Sequence, residues 1–146
     1  MSMVSKTAEY ALRATVLLAS GGSADPMALS ADQISDKTQV PRRYLHHVLQ
    51  DLVTAGIVSS RPGPGGGYSL GISADMITLL DVVNACGPLQ RITECPLGIP
   101  SHTGLCPVHA ALDEAIARTE DAFRSVTVAS LLASTSPFVP LCAAPD

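Results

Sequence analysis

Four cysteines are the most reactive side chains of this sequence. They are Cys86, Cys95, Cys106 and Cys142. Glu9 and Arg13 interrupt the apolar first residues and no cleavage site follows cleanly, so we interpret this segment as a helix and not as a secretory signal. We therefore expect a cytoplasmic protein, in which cysteines serve as thiols or metal ligands more often than as structural disulfides.

A second group of polar side chains, close together in the sequence, can bind a polyanion. Its members are Arg42, Arg43, His46, His47 and Gln50. All of them fall outside the apolar stripe of the helix that we predict after Pro41, so they share one exposed face. Their N–H groups are suitable donors to the phosphates and base edges of nucleic acid. The alternative is an ordinary solvated surface, which most runs of charged residues form.

The distribution of charge favours the first interpretation. The chain has nine Lys and Arg and thirteen Asp and Glu, which gives a net charge of -4. Residues 1–71 contain six of the basic and five of the acidic residues, so the excess negative charge lies in the second half. The stretch from Lys37 to Arg61 is locally basic. An acidic protein can therefore present a basic face.

Length and composition predict one mainly helical domain. The chain has 146 residues, of which 47% are hydrophobic and 15% charged, which excludes disorder throughout. With two Phe and no Trp, the core must consist of Leu, Val, Ile and Ala, and these residues recur at helical spacing. No apolar run approaches the ~18 residues of a membrane span, so we expect no membrane partner.

The first half contains the pattern of two helices joined by a tight turn. An amphipathic helix over residues 4–20 comes first, with Glu9 and Arg13 paired at i,i+4. Ser30, with Gln33 three residues later, predicts a capping box and a short helix to about residue 37. After a turn at residues 38–40, Pro41 takes the first position of a longer helix that ends near Gly56. Its predicted buried stripe is Leu45, Val48, Leu49 and Leu52.

Two short strands, at residues 57–61 and 68–70, flank the sequence PGPGGG. Such a glycine-rich segment is typical of a tight loop between paired strands. A helix, a turn, a second helix and a two-stranded wing form, in this order, a winged helix-turn-helix domain. In that domain the second helix of the motif, the recognition helix, enters the DNA major groove.

The second half is predicted to contain a further capped helix, a loop and a long helix. Thr78 and Asp81 begin a helix over residues 79–85, with Leu79, Val82 and Val83 as its buried stripe. Residues 107–124 form a long helix with Glu114/Arg118 and Glu120/Arg124 pairs, and a short helix follows at residues 127–133. We thus divide the chain into a DNA-binding domain (1–85), a cysteine-containing sensor loop (86–106), a dimerisation helix with the short helix (107–133) and a disordered tail (134–146).

We expect the DNA contacts to come from the turn, the recognition helix and the wing. The candidate residues are Thr38, Gln39, Arg42, Arg43, Tyr44, His46, His47, Arg61, Gly65, Gly66 and Tyr68. Arg61 lies next to the glycine-rich loop, where its side chain would suit a narrow minor groove. A plain hairpin with Arg61 in water is the alternative for this segment.

Four segments together resemble the Rrf-type family of bacterial repressors, which includes the IscR, NsrR and CymR regulators. They are VSKTAEYALRATVLLA, VPRRYLHHVLQDLVTAGIVSSRPGPGGGYSL, ITLLDVV, and a cysteine-bearing loop before a long helix. The resemblance covers about residues 3–133, and the PGPGGGY wing is its most specific part. It implies a homodimer that is joined through the long helix and binds double-stranded DNA at a near-palindromic operator.

The resemblance also implies a role for the cysteine loop. Cluster-binding members have three cysteines before the long helix, and here Cys95 and Cys106 match the outer two. Ser101 and His102 stand where the middle cysteine is expected, and His109 follows Cys106 by one turn. Glu9 matches a position from which some relatives supply an acidic ligand across the dimer. Two thiolates with a histidine and a carboxylate are a reasonable ligand set for a two-iron two-sulfur cluster.

Other roles for these residues remain open at this point. The same donors could hold zinc, or Cys95 and Cys106 could exchange thiol for disulfide without a metal. Regulation by a small ligand or a protein partner, or no sensing role at all, is also compatible with the sequence. We interpret Cys86 as a small core residue and Cys142 as a surface thiol in the tail.

The function that these patterns predict is that of a DNA-binding repressor. A metal- or cluster-binding enzyme or carrier is the first alternative, but the sequence has no phosphate-binding glycine loop and no nucleophile beside a plausible base. We therefore expect no enzyme. A protein-interaction module is the second alternative, and salt-dependent DNA binding would distinguish it from a regulator.

Overall fold

A computed structural model describes residues 3–21 and 28–138, and within them the chain is mainly helical with one two-stranded antiparallel sheet. The elements are α1 (Lys6–Ser20), α2 (Ala31–Thr38), α3 (Arg42–Thr54), β1 (Val58–Arg61), β2 (Gly67–Leu70), a 3₁₀ turn (Ala74–Met76), α4 (Leu79–Cys86), α5 (Pro107–Arg124) and α6 (Val128–Leu132). The predicted winged helix-turn-helix order is therefore present.

Local capping determines where most of these helices begin. The predicted capping box at Ser30 is confirmed, and the helix predicted to begin at Thr78 also starts with a capping box. In both, the side chain accepts from the backbone N–H three residues later. Each satisfied N–H contributes about 1 kcal/mol to helix stability. The prediction for Pro41 was wrong by one position. Its ψ of 134° is extended, so Pro41 precedes α3 and Arg42 is the first helical residue.

The core lies where α1 packs against α3 and α4. The predicted stripe of α3, Leu45, Val48, Leu49 and Leu52, is completely buried. Each such side chain contributes roughly 1.5–3 kcal/mol when removed from water. In α4 the buried residues are Leu80, Val82 and Val83, so Leu80 takes the place predicted for Leu79, which is only partly buried. Val128 of α6 packs into this same core.

The wing is a hairpin whose register pairs Val58 with Leu70 and Arg61 with Gly67. Its turn depends on glycine in two ways. Gly63 and Gly65 have positive φ angles of 86° and 75°. A Cβ atom at Gly66 would collide with the carbonyl oxygen of Arg61. The loop between the strands can therefore close only with the residue type that the sequence places there.

The long helix α5 has the predicted bounds, and it carries the predicted Glu114–Arg118 pair at 3.2 Å. The predicted Glu120–Arg124 pair is wrong. Glu120 binds Arg91 of the preceding loop, and Arg124 binds Asp121 instead. A partner from another part of the chain thus replaces the i,i+4 neighbour.

Some sequence predictions fall on residues outside the described part of the chain. Cys142 and residues 139–146 of the predicted tail lie there. Within the described ranges, no helix combines the length and the apolar content needed to cross a membrane.

Candidate nucleic-acid interface and cysteine loop

The recognition helix α3 exposes one continuous polar surface opposite its buried stripe. Exposed on it are Arg42, Arg43, Tyr44, His46, His47 and Gln50. Because all the large apolar side chains of the stripe face the core, the opposite surface is left to donors and aromatic rings. The helix therefore presents guanidinium and imidazole groups to the solvent.

The two arginines at the start of α3 are held differently. The Nε atom of Arg42 donates to Asp32 of α2 at 2.6 Å. Arg43 instead lies over the ring of Tyr44, with its guanidinium carbon 4.7 Å from the ring centroid. The Asp32 pair is exposed on both sides, so it is screened by water and easily exchanged for another anion.

The turn between α2 and α3 places one predicted contact in the interior. Thr38 is buried, and its hydroxyl donates to the Ile34 carbonyl at 2.6 Å. The prediction that this side chain contacts DNA is thus corrected: Thr38 shapes the turn. Gln39 follows it with a left-handed φ of 60° and is exposed, so its side chain is accessible from solvent.

The remaining candidate DNA-binding residues belong to the wing, which follows α3 in the chain. Arg61 and Gly65 are exposed, whereas Gly66 and Tyr68 are partly covered. Tyr68 also exchanges two backbone hydrogen bonds with Leu29, at 2.8 and 2.9 Å, just before α2 begins. The hairpin is thereby fastened to the segment that leads into the helix-turn-helix.

In the cysteine loop the structure brings together Cys106 and His109. Cys106 precedes α5, and its Sγ lies 3.3 Å from Nδ1 of His109 in the first turn. Cys95 and Cys106 are free thiols, both partly buried. Glu9 is on α1, where it binds Arg13 at 3.3 Å, and His102 is exposed in the loop.

The start of the same loop is fastened to α5 by Arg91. Its Nε and Nη2 atoms each donate to one carboxylate oxygen of Asp113 at 2.8 Å, and the backbone N–H of Ile92 donates to Asp113 as well. A third bond joins Arg91 to Glu120 at 3.4 Å. The hydrogen bonds from Arg91 and Ile92 lower the pKa of Asp113 to about 2.

Cys86 behaves as the predicted core residue. It ends α4 beneath α3, with its Sγ 3.8 Å from the Val48 carbonyl oxygen. Burial, with a smaller contribution from the nearby Asp51 carboxylate, raises the pKa of Cys86 to about 12. Since the thiolate is the reactive form, this thiol is inert at neutral pH.

Sequence comparison agrees with this arrangement of helices, turn and wing. The profile of the Rrf2 family, described as an iron-dependent transcriptional regulator, matches residues 4–134. The chain belongs to the Rrf2 family. It is a transcriptional regulator, and its relatives are regulators and not enzymes.

Individual Rrf2-family relatives match over most of their length. An rrf2-like HTH-type transcriptional regulator of Rhodobacter capsulatus is 33% identical over 126 residues, which are 85% of this chain and 81% of the relative. The regulator IscR of Vibrio campbellii is 29% identical over 133 residues, 90% of this chain and 77% of that protein.

Solved structures of Rrf2-family proteins share the fold. CymR, the global cysteine regulator of B. subtilis, superposes with a TM-score of 0.73 at 23% identity, covering 93% of this chain and all of that chain. T. potens IscR also gives 0.73, at 21% identity and with 91% and 88% of the two chains covered. At these identities the likeness concerns the fold alone.

Within the part of the chain that the structure describes, no set of donors fits an iron-sulfur cluster. Within residues 3–21 and 28–138, no three His, Cys, Asp or Glu side chains approach closely enough to hold a metal ion. Cys106 and His109 form a pair that no third donor joins among the described residues, and the Glu9 carboxylate is already bound to Arg13. The sequence-predicted set of Cys95, Cys106, His102, His109 and Glu9 is thus not assembled within one protomer.

Sequence reasoning missed the residues that hold the site in place. Asp32, Tyr10 and Arg91 all contact a predicted functional element. Tyr10 and Arg91 lie outside the motif that they support, and Asp32 lies within the helix-turn-helix but was not among the predicted site residues. No spacing rule connects residues 22 positions apart, as Arg91 and Asp113 are. The sequence did predict the Glu9–Arg13 pair, but only as a local contact within the first helix.

Proposed function

We propose that this Rrf2-family regulator is a homodimeric repressor that places α3 in the major groove of a near-palindromic operator. The observation that supports the proposal most is the exposed surface of α3, where Arg42, Arg43 and two histidines lie on one side of a rigid helix. Arg61 and the glycine loop of the wing would follow the adjacent backbone or minor groove.

Dimerisation would use α5. None of its 18 residues is buried in the protomer, and Val108 and Leu112 are 66% and 51% exposed. Leu97 and Ile99 of the cysteine loop are also exposed apolar residues. The side of α5 that includes Val108, Leu112 and Ala115 is available for a two-fold contact, whereas Phe123 packs against the protomer's own core.

Regulation would act through the Cys95–Cys106 loop, with thiol chemistry as the favoured route. The Cys106 Sγ lies 3.3 Å from the His109 Nδ1, and the loop ends directly at the proposed dimer helix. The solved structures that share this fold include an oxidised form of S. aureus CymR. Oxidation of Cys95 and Cys106 to a disulfide would release two protons and pass two electrons to an oxidant.

The test of DNA binding begins with selection. Full-length protein is used to enrich a randomised duplex pool, and the selected duplex is titrated at several salt concentrations. We expect a near-palindromic sequence and an affinity that falls linearly with salt on a logarithmic plot, because bound phosphates release counterions. Failure to enrich any sequence would contradict the repressor function.

The test of regulation compares the selected duplex's affinity before and after oxidation in wild-type protein and in Cys95→Ser and Cys106→Ser. We expect oxidation to change wild-type affinity by roughly tenfold, a coupling of about 1.4 kcal/mol, and to leave both variants unchanged. Cys86→Ser is the matched control and should respond like wild type.

Anaerobic protein should be colourless and free of iron if the thiols act alone. A visible absorption band with bound iron that is lost in Cys95→Ser and Cys106→Ser would show that the loop holds a cluster. Donors from both protomers would then complete that cluster, and the thiol mechanism would be wrong. Equal DNA affinity in all redox states, with no iron bound, would contradict any sensing role of this loop.

A further inference from the structure

Four side chains form a continuous stack between the first helix and the recognition helix. The guanidinium of Arg43 lies 4.7 Å from the centroid of the Tyr44 ring. The Tyr44 and Tyr10 rings are 5.9 Å apart at an angle of 35°. Tyr10 also contacts Arg13, whose guanidinium carbon lies 5.6 Å from the centroid of the Tyr10 ring. The order is thus cation, ring, ring, cation, and every step is within the range of favourable contact.

Arg13 has two further partners that hold it in place. Its Nε donates to Glu9 at 3.3 Å, and its Nη1 donates to the Thr38 carbonyl oxygen, also at 3.3 Å. Thr38 is the last residue of α2, and a carbonyl at a helix C-terminus has no partner within its own helix. A cation at that end is favoured by the helix dipole as well. Arg13 therefore binds the carbonyl oxygen of the last residue of α2.

These contacts reach the two features that orient α3. The turn after Thr38 passes through the left-handed Gln39, so the direction in which α3 leaves the turn depends on how the end of α2 is held. The Arg43 side chain is already confined over Tyr44 in the free protein. Confinement of a long side chain before binding lowers the entropy lost when it meets a ligand.

We propose that Arg13 is a positioning residue for operator binding, which orients α3 through the Thr38 carbonyl and confines Arg43 through the Tyr10–Tyr44 stack. Glu9 in turn holds Arg13. Arg13 itself contacts no DNA in this arrangement. The inference rests on the proposed function, because it presupposes that α3 binds the operator.

The experiment titrates the duplex selected by wild-type protein with Arg13→Gln, Arg13→Lys and Glu9→Gln. The matched control is Arg118→Gln, which removes an arginine from an equally spaced i,i+4 pair on α5. We expect Arg13→Gln to weaken operator binding about tenfold, within the usual range of coupling between sites, and the control to have no effect. Arg13→Lys should bind the duplex more tightly than Arg13→Gln but more weakly than wild type. An ammonium group lacks the planar guanidinium geometry that contacts the Tyr10 ring, the Glu9 carboxylate and the Thr38 carbonyl together.

Two readouts distinguish positioning from other roles. A residue that touches phosphate lowers the salt dependence of binding by about one unit of slope when it is removed, whereas Arg13→Gln should leave the slope unchanged. Thermal unfolding of each variant shows whether the fold is retained. Tyr44→Leu removes an exposed ring and interrupts the stack. In a protein that already contains Tyr44→Leu, Arg13→Gln should therefore weaken operator binding by a smaller factor.

The outcomes separate the inference from the function on which it rests. If wild-type protein selects no duplex, both fail. If wild-type protein binds its duplex and Arg13→Gln binds as tightly as Arg118→Gln, the positioning role is wrong and the repressor function stands. Independent effects of Arg13→Gln and Tyr44→Leu would overturn the stack as the connection to Arg43.

Discussion

Arg42 and Arg43 are neighbours in sequence but are prepared for a ligand in different ways. Arg42 is held by Asp32 in an exposed ion pair, which is worth about 1 kcal/mol or less and can be exchanged for a phosphate or a base edge. Arg43 instead lies over the ring of Tyr44, with its guanidinium carbon 4.7 Å from the ring centroid. At the scale of single residues, Arg42 must therefore leave Asp32 before it binds a ligand, whereas Arg43 already lies over the Tyr44 ring.

Replacement of either arginine by Ala should weaken binding to the selected duplex. We expect a loss of about 1–3 kcal/mol where the side chain reads a base, and a uniform loss across sequences with a smaller salt slope where it binds phosphate. Titration of both variants at several salt concentrations measures the difference. Arg124→Ala, at the far end of α5, is the control, and unchanged affinity in both α3 variants would exclude this helix from the groove.

At the scale of elements, the cysteine loop and α5 are joined by the cluster of Arg91, Asp113, Ile92 and Glu120. The cluster holds the first part of the loop on the middle of the helix, while Cys106 holds its last part at the helix start. Under the proposed regulation, a change in the loop between these two points would reach α5 and would not be absorbed by a free end. This is the physical basis for placing regulation in the loop.

Asp113→Asn should reduce stability in a way that depends on pH. The pKa of Asp113 in the folded protein is about 2, below its ordinary value of 3.8, so its ionised form stabilises the fold above pH 4 and this contribution disappears as the pH falls toward 2. The difference in Tm between wild type and Asp113→Asn should be constant near neutral pH and shrink below pH 4. Thermal unfolding between pH 2 and 7 measures it.

Glu114→Gln provides the control for this prediction, because it removes a neighbouring carboxylate whose partner, Arg118, is fully on the outer surface. Its effect on Tm should be small at every pH. A Tm difference for Asp113→Asn that stays the same down to pH 2.5 would show that the Arg91 bonds do not depend on the Asp113 charge.

At the scale of the whole molecule, α5 has no buried residue within one protomer. It packs mainly against α4, and its N-terminal half exposes Val108 and Leu112. An 18-residue helix is only marginally stable in water by itself, and an exposed apolar stripe on it favours association. Two copies joined along this stripe would carry two α3 helices, which a near-palindromic operator requires.

Leu112→Asp should convert the dimer to a monomer and remove tight operator binding. A charge in a self-complementary contact meets its own copy, and a monomer engages only one of two half-sites about 34 Å apart. Sedimentation at micromolar concentration and titration of the selected duplex measure both effects. Met76→Asp places the same charge on an exposed apolar site outside α5 and should leave the dimer intact. A wild-type protein that sediments as a monomer would refute the proposal.

The sequence by itself determined the elements and much of the DNA-binding surface. Capping boxes at Ser30 and Thr78, the apolar stripe of α3 and the glycines of the wing act over three or four residues, so they can be read directly from spacing. The bounds of α5 follow from the same kind of local signal, as Pro107 begins the helix and apolar periodicity continues to Arg124.

Only the tertiary structure decided which of several possible partners each polar side chain takes. Glu120 has an arginine four residues away yet binds Arg91, and Arg13 reaches the Thr38 carbonyl 25 residues later as well as its helical neighbour Glu9. Thr38 is buried, and its hydroxyl donates to the Ile34 carbonyl. Such choices depend on how helices pack in space, since an ion pair within a helix is worth only a few tenths of a kcal/mol and is easily replaced by a contact that packing brings closer.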